Sequence, residues 1–388
     1  MKSGSKAHIG VIDGLRGLAI LMVIVYHIFE RTGFAFSLAP FGIPLDFHTL
    51  PRAGFLGVEL FFFISGFCIF YPYAGAIAGI RPMQSLKHYA SRRFWKIVPS
   101  YYLALFFLAF VYPFNAQPGI PLWEDLALHA TFLHSFNTAS FISINGNFWS
   151  LADEVQFYVL FPAILWLALR SPWMAFVATA SVGIAANLIN SATFHDQLFT
   201  PVYTLPANLV LFAFGMATAY VAVRFRETEL SGDAKLAATC TSILAACSLM
   251  LLFESLDRTG GGPVAWSWQN AHRFVFGASL ATIALGAVFG MDWWKSIVAN
   301  RVLVFYADIS YTTYLWNAAI LTFLAAHSGA FWGHPWSGWL FAIVGIGACT
   351  LVGFITTHAI ERPLLRHGEA ISRRIWATLA PRQTESKD

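Results

Sequence analysis

The sequence predicts an all-α, polytopic integral membrane bundle of about ten transmembrane helices, and three observations carry that prediction. Of its 388 residues, 57% are hydrophobic and only 11% are charged, against roughly 25% charged in a soluble domain. Apolar runs of about 20 residues, the length that spans a hydrocarbon core, recur along the whole chain. The basic residues between these runs gather on alternate loops, as a fixed orientation in a bilayer requires.

In order, the runs lie near residues 11–29, 54–73, 94–112, 148–169, 173–189, 205–223, 236–255, 272–290, 308–328 and 336–358. The stretch from Leu126 to Phe136 is too short to cross and carries His129 and His134, so it predicts a re-entrant or interfacial segment. With ten crossings, twenty of the 24 Lys and Arg residues lie on the side of both termini, and only Arg31, Arg52, Arg258 and Arg273 lie opposite. An eleventh crossing would export Arg170 and the loop from Arg224 to Lys235, against the bias of positive charge toward the cytoplasm. Both termini are therefore placed in the cytoplasm, in a multi-pass protein of a cell membrane of bacterial type.

Lys2 and Lys6 precede an apolar run as in a secretory signal, but Asp13 and Arg16 interrupt it and no small-residue cleavage site follows Phe29. With no long, mixed charged stretch to mark a second domain, residues 1–366 read as one integral membrane domain and 367–388 as a polar, disordered cytoplasmic tail. Cys68, Cys240, Cys247 and Cys349 all fall in apolar runs, where a thiol packs as a small hydrophobe, and their spacing suggests no metal. A formal charge of +4 is ordinary for this topology and gives no reason to expect nucleic acid.

Arg16 and His27 share the first run, about 16 Å apart at the helical rise. An imidazole in hydrocarbon is costly without a partner and a task, so His27 leads the catalytic candidates. Glu59 opens the second run, and Asp153 and Glu154 lie one to two turns into the fourth, all in the outer half of the bilayer. Any one of these carboxylates is equally well a helix-end charge facing headgroups; three helices bringing such groups to one depth favour a site built on His27 and Glu154. At the cytoplasmic face, Arg92-Arg93-Phe-Trp-Lys96-Ile-Val-Pro99 opens the third run, with Arg93 and Lys96 spaced i, i+3 on one helical face. Two cations so placed suit a phosphate, although lipid headgroups would also use them.

These blocks together resemble the membrane acyltransferase-3 family. The resemblance rests on Asp13-Gly-Leu-Arg16-Gly with His27, Gly57-Val-Glu59 through Ser65-Gly66-Phe67, the Arg92 to Pro99 run, Trp149-Ser-Leu-Ala-Asp-Glu154-Val-Gln156-Phe157-Tyr158, Ser310-Tyr311-Thr-Thr-Tyr314-Leu315-Trp316, and Glu361-Arg362-Pro363, six blocks in family order over nearly the whole chain. It implies a ten-helix enzyme that moves an acyl group, usually acetyl, from cytoplasmic acyl-CoA to a hydroxyl, often on a glycan. Carried over by position, the resemblance makes Arg16, His27 and Glu154 the family's functional residues and assigns Arg93 and Lys96 to the donor. Lys96 stands where arginine is more usual, Val155 where a second glutamate is common, Glu59 where aspartate is more frequent and Asn317 where histidine is common. Asp153, Glu59 and Asn317 are carried as acceptor-binding candidates.

The mechanism this implies is direct transfer. His27 takes the proton of the acceptor hydroxyl as its oxygen attacks the thioester, and Glu154 orients the imidazole like the third member of a triad. Arg16, Arg93 and Lys96 hold the donor's phosphates, and no permanently bound cofactor is expected. An acyl-histidine intermediate is the competing version. Asn317, Tyr311 and Ser65 are candidate oxyanion donors, each also readable as a helix-packing residue. Some family members carry an extra hydrolase-like domain after the bundle; the expectation here is that the bundle binds both substrates itself. Phe331-Trp332-Gly-His334-Pro-Trp336 and Trp266-Ser-Trp268 are aromatic segments suited to a sugar or to the membrane interface. A proton-coupled transporter using His27 and Glu154 as a relay is the alternative reading, and a non-catalytic relative is a third.

Overall fold

The computed structural model describes residues 3–33, 37–38, 45–46, 49–115, 119–193, 199–329 and 337–379. Its helices are α1 (Ser3–Thr32), α2 (Thr49–Arg52), α3 (Gly57–Ile77), α4 (Leu86–Phe106), α5 (Leu122–Ala130), α6 (Phe148–Ala168), α7 (Pro172–Thr193), α8 (Phe199–Val202), α9 (Leu205–Arg224), α10 (Gly232–Asp257), α11 (Gly262–Phe289), α12 (Asp292–Val298), α13 (Arg301–His327), α14 (Ser337–Thr356) and α15 (Arg362–Leu379). Two-residue strands β1 (Ser37–Leu38) and β2 (Leu45–Asp46) pair antiparallel after α1.

Nine helical segments among the described residues are long and apolar enough to cross a membrane. They match nine of the ten expected runs, and the tenth is α13, which is 27 residues long. Tyr311, Thr312, Thr313, Tyr314 and Asn317 make α13 less apolar than its neighbours, and Thr312, Thr313 and Asn317 are all buried. A helix sheltered by α1, α14 and α4 faces protein rather than lipid, so its polar groups find partners inside the bundle. The chain is thus an all-α polytopic membrane bundle.

Small residues set the closest helix approaches, as expected where van der Waals packing drives association in a membrane. A Cβ built on Gly66 of α3 would lie 2.3 Å from the Phe212 carbonyl oxygen of α9, and one on Gly215 of α9 would lie 2.0 Å from that of Phe63. On α1, Gly17 presses against the Leu303 carbonyl at the start of α13, where a Cβ would come within 1.9 Å. The Asp13 to Gly17 block therefore locks α1 onto α13 and leaves Arg16 to another face.

The short segment after α4 does not cross. It folds as α5 and a 3-10 turn, His134–Phe136, and is pinned from both sides. The Tyr101 hydroxyl donates to the His129 carbonyl at 3.1 Å, and Gln156 of α6 donates to the Phe132 carbonyl at 2.7 Å. The C-terminal region differs from expectation. Residues 362–379 form α15, strongly amphipathic, which docks on α4 through Trp95 to Ser372 at 3.0 Å and Arg92 to Glu369 at 3.3 Å. The stretch 367–379, read as disordered, is thus helical, and residues 380–388 lie outside the described region.

Candidate active site

A cavity of about 170 Å³ opens between α1, α3, α4, α6 and α13, and its polar lining comes from blocks far apart in sequence. Arg16 enters from α1, donating to the Cys68 sulfur at 3.1 Å, with Asp13 at 3.7 Å. Arg93 of α4 lies over the Tyr158 ring at 5.4 Å. Lys96, one turn on, lies over the Tyr311 ring at 5.7 Å and is paired with Glu361 at the π-helical turn Thr357–Glu361. Next to Glu361, Arg362 grips both oxygens of Asp308 at 2.6 Å. The Glu361-Arg362-Pro363 block thus ties α15 to the cation-rich end of the cavity.

Deeper in, Glu154 accepts hydrogen bonds from the hydroxyls of Ser65 and, at 2.5 Å, Tyr158. At the far end Tyr314 bonds Ser150 at 2.6 Å, and its hydroxyl donates to the Asn147 carbonyl at 3.2 Å. Beyond that layer sits His27. Eleven residues is about three helical turns, so Arg16 and His27 occupy nearly the same face of α1, one on each side of the Tyr314 layer. His27 Nδ1 lies 2.9 Å from Glu30 Oε2, and Nε2 lies 2.9 Å from Asn147 Oδ1. Arg31 donates to Glu30 at 2.7 Å and to Thr322 of α13 at 2.9 Å, bracing the carboxylate.

Chemically, three cations and hydroxyl donors around a confined space can hold phosphates and a polar arm. An imidazole with a carboxylate on one nitrogen can move a proton through the other. A family described as an acyltransferase domain matches residues 9–358. The chain belongs to this acyltransferase family. A Staphylococcus aureus (strain COL) protein, provisionally named an O-acetyltransferase, is 26% identical over 345 residues, covering 81% of this chain and 51% of its own length. A Bacillus subtilis (strain 168) protein, provisionally named a peptidoglycan O-acetyltransferase, is 25% identical over 401 residues, covering 97% of this chain and 58% of its own. The peptidoglycan O-acetyltransferase OatA of Listeria monocytogenes is 29% identical over 181 residues, 43% of this chain and 25% of that protein. The chain spans about half the length of the curated relatives it matches over most of its own length. No solved structure matches it.

The structure brings Arg16, Arg93, Lys96 and Glu154 together around one cavity. It does not bring Glu154 to His27. The carboxylate on the imidazole is Glu30, three residues along the same helix, and Glu154 lines the cavity instead. Two acceptor-binding candidates also sit elsewhere. Asp153 is fully buried and accepts from Asn208 of α9 at 2.9 Å. Glu59 is buried against Arg273 of α11, which donates to it through Nε at 3.2 Å and through its terminal nitrogen at 3.1 Å. The remaining donors of that cluster are also engaged: Arg273 reaches Asn187 at 3.1 Å, and Gln269 donates to Glu59 at 3.2 Å. Asn317 is buried one step from the imidazole, accepting from Asn147 at 3.4 Å.

Of the oxyanion candidates, Ser65 is committed to Glu154, and Tyr311 donates to the Ile97 carbonyl at 2.6 Å. The Phe331 to Trp336 segment lies outside the described residues. In the other aromatic segment, Trp268 stacks on His272 at 4.4 Å and donates to Ser255 at 2.8 Å, a packing arrangement. A separate cavity, about 610 Å³ between α1, α10 and α11, is lined by apolar side chains.

Proposed function

We propose that this protein is an acyl-CoA-dependent O-acyltransferase that moves an acyl group, acetyl by the family's habit, onto a hydroxyl of a glycan or glycosylated acceptor. The observation that supports it most is the single polar axis along one face of α1: cations at one end, a cavity between, and a carboxylate-braced imidazole at the other. Arg16, Arg93 and Lys96 are assigned to the donor's phosphates, Arg93 and Lys96 from the cytoplasmic mouth. A ligand pocket usually measures roughly 300–1,000 Å³, so the 170 Å³ cavity suits the pantetheine arm, with the nucleotide outside at the mouth.

In the step so assigned, His27 Nε2 takes the proton of the acceptor hydroxyl while that oxygen bonds to the thioester carbonyl carbon. The carbon–sulfur bond breaks, and the proton passes from Nε2 to the departing thiolate, giving ester and free CoA. Glu30 holds Nδ1–H and stabilises the charged ring. Glu154, with Ser65 and Tyr158, shapes the arm's path. The Tyr314–Ser150 layer stands between cavity and His27, so the donor must displace it to present its thioester. The peptidoglycan named for the relatives is one acceptor of the right chemistry.

The test is acceptor-dependent release of CoA thiol by purified protein given acetyl-CoA and a panel of oligosaccharides, wild type against His27→Ala of equal stability. Release that vanishes in the variant supports the reading. Wild-type protein that neither binds nor turns over any acyl-CoA overturns it.

A further inference from the structure

Asn147, immediately before α6, has its side-chain orientation fixed independently of His27. Its Nδ2 donates to the Tyr314 carbonyl at 3.1 Å and to Asn317 Oδ1 at 3.4 Å. Asn317 is itself oriented by main chain, since its Nδ2 donates to the Thr313 carbonyl at 3.1 Å and the Tyr314 carbonyl at 2.9 Å. Reversing the Asn147 amide would set oxygen against oxygen at Tyr314. Its Oδ1 must therefore face His27, where it lies 2.9 Å from Nε2, and only an Nε2 carrying hydrogen makes that a bond. On the other side Nδ1 lies 2.9 Å from the Glu30 carboxylate, an acceptor, and 3.3 Å from Arg31, a donor whose shorter bond, at 2.7 Å, goes to that carboxylate. With the carboxylate the nearer partner of Nδ1 and Asn147 Oδ1 on Nε2, the ring has the hydrogen-bond pattern of the imidazolium, the species His27 becomes after taking the acceptor's proton.

The backbone around Asn147 is held as tightly as its side chain. Asn145 donates to the Leu315 carbonyl at 2.9 Å and accepts from the Asn147 amide at 3.1 Å. Ile144, a β-branched residue, adopts a φ of 58° in this turn. Such a conformation is unfavourable for a β-branched residue and persists only where its surroundings impose it.

We infer that Asn147 is a positioning residue that accepts the Nε2 proton of His27, stabilising the proton-laden ring and setting how readily the base releases that proton. The inference rests on the acyltransferase reading of His27. Before the reaction the Nε2 lone pair must point to the acceptor hydroxyl, and Asn147 then loses its partner. Once the proton has transferred, Asn147 Oδ1 accepts Nε2–H until the CoA thiolate takes it. The other groups facing the ring are Glu30, Arg31 and the Tyr26 ring on α1. From α13, Tyr314 and Asn317 act through Asn147, and Thr322 acts through Arg31.

The test measures acceptor-dependent thiol release against pH for wild type, Asn147→Asp and Asn147→Ala, together with nitrogen-15 NMR titration of His27, its signal assigned by its loss in His27→Ala. Aspartate preserves the shape and adds a charge, so it should move both the acidic limb of the rate profile and the NMR midpoint alkaline by about one pH unit, the size of effect an adjacent opposite charge exerts. Alanine should move both toward acid. Variants whose rates fall while limb and midpoint stay in place would assign Asn147 a structural role and overturn the inference. If wild type releases no thiol with any acyl-CoA, the functional reading fails on its own. The NMR midpoints of wild type and Asn147→Asp then still decide whether Asn147 holds the imidazolium.

Discussion

Two of the charge clusters among the described residues, those around Arg273 and Arg16, are built differently. Around Arg273, every neighbour is a partner: Glu59, Asn187 and Gln269 close a dry network between α3, α7 and α11, with Arg273 only 1% exposed. Around Arg16, the cations face a cavity; Arg93 and Lys96 rest over aromatic rings, and the Lys96 side chain remains 36% exposed. Charge inside a membrane is costly in either place. The first cluster neutralises that cost internally and holds helices together, whereas the second leaves donors directed at a space a ligand can fill. What separates structural from functional charge here is whether its hydrogen-bonding capacity is already used.

The sharpest way to break that distinction is Arg273→Gln. It leaves the Glu59 carboxylate buried without its counter-ion, a change that costs about 3–5 kcal/mol. Thermal unfolding in detergent should show a large loss, with most of it recovered in Glu59→Gln/Arg273→Gln. A single variant as stable as wild type would mean the pair is not a staple.

On the other side of the comparison, Arg93→Ala should weaken acetyl-CoA binding about 10- to 100-fold, the worth of one hydrogen bond to a charged group at about 1.5–3 kcal/mol. Its stability should stay within about 0.5 kcal/mol of wild type. Calorimetric titration checks the first figure and thermal unfolding the second; lost stability with unchanged affinity would place Arg93 with the structural set.

A third, smaller effect concerns the segment that presents Asn147. Burial, then the His129 ring stacked at 3.9 Å, push His134 down to about 3. Burial raises the neighbouring Asp125, but hydrogen bonds from His129, Ser140 and Ser143 bring it below its ordinary value. His134 accepts a proton more readily when unfolded, so its contribution is complete above about pH 6.5 and is lost as pH falls toward 3. The depressed Asp125 pKa acts in the same direction below its ordinary value. Melting temperature should fall on acidification from pH 7 to 4.5, and less steeply in His134→Gln; equal slopes would contradict this. The smallest effect expected is that of Asp153→Asn, which should leave the acceptor KM unchanged within about twofold, because the carboxylate faces Asn208 rather than the cavity. A KM raised tenfold would restore Asp153 to the acceptor site.

The helices were legible because bilayer thickness imposes a length and lipid imposes a composition. α13 shows where that logic weakens, since a sheltered helix need not be apolar all round. The cations of the cavity were legible because Arg93 and Lys96 at i, i+3 stand out near a hydrophobic run. Glu30 was equally readable by its spacing from His27, but Glu154 drew the assignment through its depth and then the family motif. The Glu59–Arg273 pair joins residues 214 apart in sequence, and no local pattern announces it. Asp153 and Glu59 were offered to the acceptor because depth alone was known; which face of a helix a carboxylate takes depends on packing the sequence does not spell out. Asn147 carried no signal beyond its place before Trp149, because its importance lies in the carbonyls it meets on α13.

The central claim is that one axis along α1 joins a donor held at the basic face to an acceptor at the His27 face. The direct measurement is transfer across a sealed membrane. Inside-out vesicles bearing the protein would be loaded with an oligosaccharide acceptor and given radiolabelled acetyl-CoA outside, at their exposed cytoplasmic face. Label should appear on the enclosed acceptor, abolished by His27→Ala and reduced by Arg93→Ala. Label found only on acceptor mixed with the donor on the same side would contradict it.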